Sequence, residues 1–239
     1  MHTQTVVTQI KLPLANAYLV QGERAILIDT GAAGDANRIV RTLQQAGVAP
    51  ANLALILLTH GHGDHAGSAH ALAALSGAPL AMHAADEAMA RSGRNTLGVI
   101  NGLEARLMVP FVNKPFPPVA ASHVFDKGFD LHRYGVAGHV VATPGHTPGS
   151  VSVLLANGDA LVGDLVMGGR LGGALYGTRP RLHYFVSNFT QLHQSMEVVL
   201  ATRPQRLLVG HGGPLDAATV RRWWEGSAGQ QVQKWFTTE

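Results

Sequence analysis

Four side chains that can bind metal ions fall within residues 60–65, whose sequence is HGHGDH. Imidazole nitrogens and carboxylate oxygens are common ligands of zinc and iron. The two glycines let the backbone turn sharply, so that neighbouring side chains can converge on one small volume. We therefore interpret this segment as part of a metal site. Four ligands in one run cannot all reach a single tetrahedral ion that keeps an open position, so the pattern asks for further ligands elsewhere.

Three more residues of the ligand types follow apolar, strand-like runs further along the chain. They are His146, Asp164 and His211. In each case the apolar run ends, a glycine or proline turns the chain, and one imidazole or carboxylate appears. Loops at strand ends are held by a rigid platform and often carry functional side chains. The repeated pattern predicts that these three residues share a site with residues 60–65.

The elements that would position these residues alternate between strands and helices in the first half of the chain and are mostly strands in the second half. The apolar run 53–58 predicts a buried strand that ends at the HGHGDH segment. Asp35, Asn188 and Asp216 are placed to cap the N-termini of helices. Residues 129–134 are expected to form a strand in the second half.

Two stretches of the chain give no periodic pattern. Residues 92–120 contain several glycines and prolines, and we expect them to run as a long loop over the surface. Residues 168–187 begin with a glycine-dense segment that we expect to be mobile or to lie close to a ligand. Pocket size depends on whether these two loops line the site.

Composition excludes several classes of protein. The chain has 239 residues, of which 46% are hydrophobic and 14% charged, so it can bury a core and is not intrinsically disordered. Cysteine is absent, which excludes disulfides, Cys-ligated zinc and a cysteine nucleophile. The formal net charge is only +3 without a lysine- or arginine-rich run, so we expect no nucleic-acid partner. We find no signal peptide and no apolar run near the ~20 residues of a membrane span, so we expect a cytoplasmic protein with no membrane partner.

The order of these motifs closely resembles that of the metallo-β-lactamase-fold superfamily, and in particular its glyoxalase II-like group of metal-dependent hydrolases. The resemblance begins at Asp29, continues through the HGHGDH segment and ends at His211. It implies an α/β (α+β) fold, namely an αββα four-layer sandwich in which two mixed sheets pack face to face with helices outside. Residues 1–239 would form a single hydrolase domain, with metal ions at one edge of the sandwich.

The resemblance also implies a role for each ligand. The implied ligands of two Zn(2+) ions per chain are His60, His62 and His146 for the first ion, Asp64, His65 and His211 for the second, and Asp164 as a bridge between both. Asp64 is also the implied catalytic residue, which orients the nucleophile, and Asp29 would support a ligand imidazole. The implied reaction is hydrolysis of a small-molecule ester, thioester, lactone or phosphodiester by a hydroxide that bridges the two ions.

Departures from named branches of the superfamily narrow the activity. Position 62 is His, whereas the di-iron flavoprotein branch has Glu there. Asp164 is present, whereas class B β-lactamases lack this bridging carboxylate. The Lys and Tyr contacts to glutathione in true glyoxalase II enzymes are unmatched, since Gly173 and Leu175 stand at about those places. Met167 stands where quorum-quenching lactonases have a Tyr, three residues after the bridging Asp.

Two other interpretations remain open. In a mononuclear Fe(II) persulfide dioxygenase, one Fe(2+) would be held by His60, His146 and Asp164, a set of two histidines and one carboxylate. The identity of the metal separates this interpretation from the zinc hydrolase. The second alternative is a non-catalytic scaffold, although degenerate members usually lose ligands and all seven ligand positions are filled here.

Substrate contacts are expected from the segment between Asp164 and the next helix. The candidates in this segment are one imidazole, two phenols and two guanidinium groups, on His183, Tyr176, Tyr184, Arg179 and Arg181. Either arginine can hold an anionic tail of a small-molecule substrate by a bidentate contact. Trp223 and Trp224 cannot both face one side of a helix, so we expect one of them to reach a partner chain in a homodimer.

Overall fold

The computed structural model describes residues 4–234, so both ends of the predicted domain 1–239 lie outside the described residues. The strands are, in chain order, β1 (Val6–Lys11), β2 (Asn16–Gln21), β3 (Ala25–Ile28), β4 (Leu53–Leu57), β5 (Leu80–His83), β6 (Val99–Ile100), β7 (His123–Phe125), β8 (Gly138–Ala142), β9 (Val151–Leu155), β10 (Asp159–Gly163), β11 (Met167–Arg170), β12 (Leu175–Arg181), β13 (Phe185–Val186), β14 (Arg206–Val209) and β15 (Leu215–Asp216). The helices are α1 (Ala36–Gln45), α2 (Gly63–Ala66), α3 (Ala69–Ser76), α4 (Ala84–Ser92), α5 (Leu103–Val112), α6 (Phe189–Ala201), α7 (Ala217–Trp223) and α8 (Gly229–Lys234). Within residues 4–234, no helix combines the length and the apolar character that crossing a membrane requires.

Two mixed sheets form the centre of the fold. The first has six strands in the order β1-β2-β3-β4-β5-β7, in which β1 to β3 run antiparallel and β3, β4, β5 and β7 run parallel. The second has five strands in the order β15-β14-β10-β9-β8, in which β10 and β14 run parallel and the other neighbours antiparallel. Two short sheets, β11-β12 and β13-β6, are formed mainly by residues 92–120 and 168–187, the two stretches that give no periodic pattern in the sequence.

The two large sheets pack face to face through apolar side chains. Ile26, Ile28 and Leu55 of the first sheet belong to one buried cluster with Val153 and Leu161 of the second sheet. Successive side chains of a strand point to opposite faces of its sheet, so the residues between these positions must face outward, away from the partner sheet.

Helices cover the outer faces. Leu27 and Ile56, which alternate with the inner residues, pack with Leu43 of α1 and other helical side chains of the first half of the chain. On the second sheet, Leu207 packs with Met196 of α6 in a separate cluster. The order is therefore helices, sheet, sheet, helices, and the predicted αββα four-layer sandwich is confirmed.

Three expectations about local structure were wrong. Residues 92–120 are not one long loop, because α5 occupies ten of them and contains Pro110. This proline lies in the last turn, where it removes one backbone hydrogen bond without stopping the turns before it. Residues 168–187 contain β11 and β12, which pair antiparallel. Residues 129–134 form an isolated bridge at Asp130 and a 3-10 turn at His132–Tyr134 instead of a strand.

Candidate metal centre

The ligand-type residues lie on loops that follow strands of both sheets. β4 of the first sheet ends at Leu57, and the HGHGDH segment follows, with its second half in α2. In the second sheet, β8, β10 and β14 precede the loops that carry His146, Asp164 and His211. Each sheet therefore supplies one half of the candidate site.

The seven predicted ligands are brought together and form overlapping groups of three. The ligand atoms of each group lie within 4.8 Å of one another, and the groups are His60, His62 and His146; His60, His65 and Asp164; Asp64, His65 and His211; and His146, Asp164 and His183. All of these residues are buried. The first and third groups coincide with the two ligand sets that the resemblance implies, and the second and fourth connect through Asp164.

Each ligand imidazole is oriented by a hydrogen bond at the ring nitrogen that points away from the centre. The pairs are His60 Nδ1 with Thr59 Oγ1 (3.1 Å), His62 Nε2 with the Thr96 carbonyl (3.1 Å), His65 Nδ1 with Asp29 Oδ2 (2.8 Å), His146 Nδ1 with the Phe185 carbonyl (2.8 Å) and His211 Nδ1 with the Leu14 carbonyl (2.8 Å). Carbonyls and carboxylates only accept, so the nitrogen that faces them carries the proton. The inner nitrogen is then left with a free lone pair, as a metal ligand requires.

This arrangement leaves lone pairs facing one another at the centre. His62 Nδ1 and His146 Nε2 lie 2.9 Å apart. Four further buried side-chain atoms have no hydrogen-bond partner among the described residues: His60 Nε2, His65 Nε2, Asp164 Oδ1 and His183 Nε2. Buried polar atoms without partners are costly unless a cation lies between them. The donor set therefore fits metal ions.

The Asp164 carboxylate lies at the centre of the cluster. Its Oδ2 is 3.2 Å from His211 Nε2 and 3.5 Å from His146 Nε2, and its Oδ1 is 3.5 Å from His65 Nε2. Two ligand atoms that each lie about 2.1 Å from one tetrahedral ion are ~3.4 Å apart. Asp164 is thus at ligand spacing from His146 of the first group and from His65 and His211 of the third group. A ligand common to the two groups would lie in such a position.

Burial and neighbouring charges set the protonation of these groups. Burial, together with the His65 imidazole, lowers the pKa of His60 well below its ordinary value. Burial alone would raise the pKa of Asp164, but the imidazoles of His211 and His183 outweigh it and hold that pKa well below its ordinary value. His60 is therefore a neutral ligand and Asp164 a charged one near neutral pH.

His65 and His211 differ from the other imidazoles. Burial opposes a charge on His65, but Asp164 and Asp29 outweigh burial and raise its pKa well above the ordinary value. Burial also opposes a charge on His211, and Asp164 again outweighs it and raises the pKa. Without metal, both imidazoles attract a proton beside Asp164, so a cation that binds there must displace protons.

Asp29 supports two ligand imidazoles. It follows β3 with a φ of 59°, a conformation that is uncommon for a residue other than glycine. Its Oδ2 accepts hydrogen bonds from His65 Nδ1 at 2.8 Å and from the Thr59 hydroxyl at 2.7 Å. Because the single hydroxyl proton of Thr59 is used in this way, its oxygen accepts from His60 Nδ1. One carboxylate therefore orients His65 directly and His60 through Thr59.

Two positioning side chains were not identified from the sequence. Asp86 of α4 is fully buried and accepts hydrogen bonds from the backbone N–H groups of Gly61 and Gly149. Asn95 accepts a 2.8 Å hydrogen bond from the N–H of Gly63. Neither residue lies in a ligand motif. The one available signal was a pair of acidic residues in an alanine-rich helix, which is more typical of an exposed helix face.

Two of the five predicted substrate-contact residues reach the cavity at the metal ligands. The cavity has a volume of about 510 Å³, and the site residues that line it are His62, Asp64, Asp164, His183, Tyr184 and His211. His183 is only 3% exposed, and its Nε2 lies 3.0 Å from Asp164 Oδ2. The Tyr184 hydroxyl donates a short hydrogen bond to Glu104.

The other three predicted contacts lie elsewhere. Tyr176 is 66% exposed, and the Arg179 guanidinium lies over its ring, 4.9 Å from the centroid. Arg181 forms an ion pair with Glu104, with 2.9 Å between Nη1 and Oε2. None of these three residues is among the described residues that line the cavity. The geometry therefore gives no support to a bidentate contact from either arginine to a substrate tail.

Comparisons with known proteins agree with this geometry. The sequence profile of the metallo-beta-lactamase superfamily matches residues 11–197. The Bacillus subtilis (strain 168) protein named probable metallo-hydrolase YqgX is 29% identical over 210 residues, which cover 86% of this chain and 88% of that protein. The hydroxyacylglutathione hydrolase of Acidiphilium cryptum (strain JF-5) is 29% identical over 224 residues, which cover 92% of this chain and 74% of that protein. The crystal structure of TTHA1623 in a di-iron-bound form is 26% identical, with a TM-score of 0.63 over 92% of this chain and 96% of that chain.

Proposed function

Because the chain belongs to the metallo-beta-lactamase superfamily, we propose that it is a two-metal hydrolase of a small-molecule ester, thioester, lactone or phosphodiester. The observation that carries this proposal is that imidazoles of two ligand groups lie within 3.5 Å of the Asp164 carboxylate, His146 from one group and His65 and His211 from the other. The proposed ligands are His60, His62 and His146 for one ion, Asp64, His65 and His211 for the other, and Asp164 for both. Zinc is the proposed metal, since imidazole and carboxylate ligands without thiolates suit it.

The bound ions would polarise the carbonyl or phosphoryl oxygen of the substrate and make water acidic enough to attack near neutral pH. Asp64 lines the cavity and lies 3.5 Å from His211 Nε2. Its carboxylate would accept a hydrogen bond from the attacking water and so orient it. Asp29 and Asp86 would keep the ligand imidazoles in place while the reaction proceeds.

His183 is proposed as a substrate contact. It lines the cavity, and its buried Nε2 has no hydrogen-bond partner among the residues that the structure describes. That nitrogen lies 3.0 Å from Asp164 Oδ2, and once Asp164 binds the ions it would be left to contact a substrate oxygen there. The names of two relatives, a metallo-hydrolase and a hydroxyacylglutathione hydrolase, support hydrolysis of acyl compounds as the first reaction to test.

Metal content and hydrolysis, measured on one preparation, test the proposal. Plasma mass spectrometry on protein purified without a histidine tag is expected to find two zinc ions per chain, and this protein should hydrolyse a thioester, a lactone or a phosphodiester. His146→Ala should remove a ligand of the first ion and so reduce hydrolysis by more than the ~10- to 100-fold typical of losing a residue that orients a ligand. His139→Ala, at an exposed position of β8, is the control.

Full hydrolytic activity of the His146→Ala variant would contradict the two-metal mechanism. One iron per chain, with oxygen uptake on glutathione persulfide and no hydrolysis, would favour the mononuclear dioxygenase instead. The di-iron form of TTHA1623 makes the iron measurement worthwhile, since that structure shares the fold.

A further inference from the structure

Apolar side chains line much of the cavity beside the metal ligands. They include residues from four separate segments of the chain: Leu12 and Leu14, Leu97, Met108 and Val112, and Phe185. Small-molecule sites of this kind have a mainly apolar wall with a few polar groups that orient the ligand. The uncharged part of a ligand is expected to contact the apolar wall.

Helix α5 contributes two of these side chains from one face. Met108 and Val112 are four residues apart, so they lie next to each other on the helix. Both are half-buried and pack against Tyr184 and Phe185 while they line the cavity. Leu107, the neighbour of Met108 in the sequence, is 65% exposed on another face and is not among the described residues that line the cavity.

The position of α5 relative to the metal ligands is fixed at both of its ends. At its start, Glu104 binds Arg181, accepts from the Tyr184 hydroxyl and accepts from the N–H of Leu171. At its end, the Val112 carbonyl accepts a short hydrogen bond from the Asn95 side chain. The same side chain accepts from the N–H of Gly63, inside the HGHGDH segment. The apolar wall is thus held in register with the ligands.

Positive charge is scarce in this cavity. Lys11 is the only lysine or arginine among the described residues that line it. Arg181 is paired with Glu104, and Arg179 lies on Tyr176. A substrate whose anionic group lay against α5 would bring charge into contact with apolar side chains, which is unfavourable.

We propose that the substrate is an acyl compound with an aliphatic chain, which packs against Leu97, Met108 and Val112. This inference rests on the proposed hydrolase function and specifies its substrate class. For a thioester, the oxygen of water forms the new C–O bond, the C–S bond breaks and the thiol leaves with a proton, giving a carboxylic acid. The chain beyond the carbonyl takes no part in this step and contributes through burial.

The test uses zinc-loaded protein and thioesters of one small thiol with straight acyl chains of two to eight carbons. Each buried methylene contributes up to about 4-fold to binding. kcat/KM is therefore expected to rise ~2- to 4-fold per methylene until the cavity is filled. Met108→Gln should flatten this dependence, and Leu107→Gln should leave it as in the unchanged protein.

Calorimetry with the straight-chain carboxylic acids themselves gives a readout that does not need turnover. The dissociation constants of these acids should fall as the chain lengthens, and Met108→Gln should remove this dependence on chain length. If Met108→Gln unfolds the protein, Met108→Ala is the second variant. Hydrolysis and binding that do not depend on chain length would overturn the inference and leave the hydrolase proposal intact. Chain-length-dependent binding without hydrolysis of any thioester would support the inference and count against the proposed reaction.

Discussion

The backbone N–H of Gly61 donates a 2.8 Å hydrogen bond to the carboxylate of Asp86. The same carboxylate accepts from the Gly149 N–H at 2.8 Å and from the Thr147 hydroxyl at 2.7 Å. Gly61 stands between two histidine ligands, and Thr147 directly follows His146. Asp86 therefore joins the two loops whose imidazoles form the first ligand group.

Replacing Asp86 with Asn is expected to weaken metal binding by ~10- to 100-fold, the usual cost of losing a residue that orients ligands. The amide nitrogen of Asn would face a backbone N–H, because the carboxylate now accepts from a glycine N–H at each oxygen. Competition with a chelator measures the affinity. Glu87→Gln is the matched control, since Glu87 pairs with Arg91 on the exposed side of the same helix. Equal affinities of the two variants would contradict this role for Asp86.

Asp29→Asn should weaken binding of the second ion most. Asp29 contacts His65 directly, and its effect on His60 passes through Thr59. In titration calorimetry, we expect the affinity for the second zinc ion to fall ~10- to 100-fold and the affinity for the first ion to change less. Asp126→Asn, at an exposed position, should change neither affinity. A variant of Asp29 that binds both ions normally would show that the hydrogen bond to His65 does not matter.

Gly210 leads to a prediction at a residue with no side chain. A methyl group there would lie 2.0 Å from Asp164 Oδ1 and 2.6 Å from His65 Cε1. Gly210→Ala should therefore displace both ligands and reduce the zinc content measured by mass spectrometry. Gly226→Ala is the control, because a methyl group at that glycine meets no described atom within 4 Å. Full zinc content in the Gly210 variant would mean that the centre tolerates a shift of Asp164.

His183→Ala is expected to reduce kcat/KM at least ~10-fold on the best substrate, the loss typical of a removed hydrogen bond to a charged group. Zinc content should stay unchanged, which separates substrate contact from metal binding. His70→Ala, on the exposed side of α3, should leave both quantities unchanged. If kcat/KM of the His183 variant equalled that of the unchanged protein, the proposed contact would be wrong.

Glu104 predicts a pH dependence of stability. Burial would raise its pKa, but hydrogen bonds from Leu171, Tyr184 and Arg181 outweigh burial and lower the pKa from 4.5 to about 2. A carboxylate with a lowered folded-state pKa stabilises the fold above its unfolded pKa, and this stabilisation is lost as pH falls through the folded value. The Tm difference between the protein and Glu104→Gln should be constant at neutral pH and narrow as pH falls from 4.5 toward 2. Thermal melts at a series of pH values measure it, and a gap that widens in acid would contradict the assignment.

The gathering of the ligands could be anticipated because the sequence places them after apolar runs. Asp164 and His211 follow β10 and β14, which are parallel neighbours. The carboxyl ends of such strands meet at the same edge of a sheet, so residues that follow them come together whatever the loops do. The same reasoning brings residues 60–65, which follow β4, to Asp29, which follows its parallel neighbour β3. For these residues, their positions directly after apolar runs were enough to predict that they lie close together.

The apolar wall and the positioning residues could not be anticipated in this way. The burial of Asp86 depends on Gly61 and Gly149, which are 25 and 63 positions away. Helix α5 was obscured by Pro110 and by the glycines and prolines around it, which are typical of loops. Its place at the cavity depends on contacts through Glu104 and Asn95 that no local pattern records.

Because the candidate ligands are divided between the two sheets, the amount of folded protein would depend on the supply of metal. Residues 60–65 belong to one layer, and His146, Asp164 and His211 belong to the other, so the complete set exists only when the layers are stacked. Each ion of the proposed centre would then act as a cross-link that the unfolded chain cannot make, and its binding energy would add to the free energy of unfolding. In a cell short of metal, the chain would lose more than its activity, since a larger fraction would be unfolded and open to proteases.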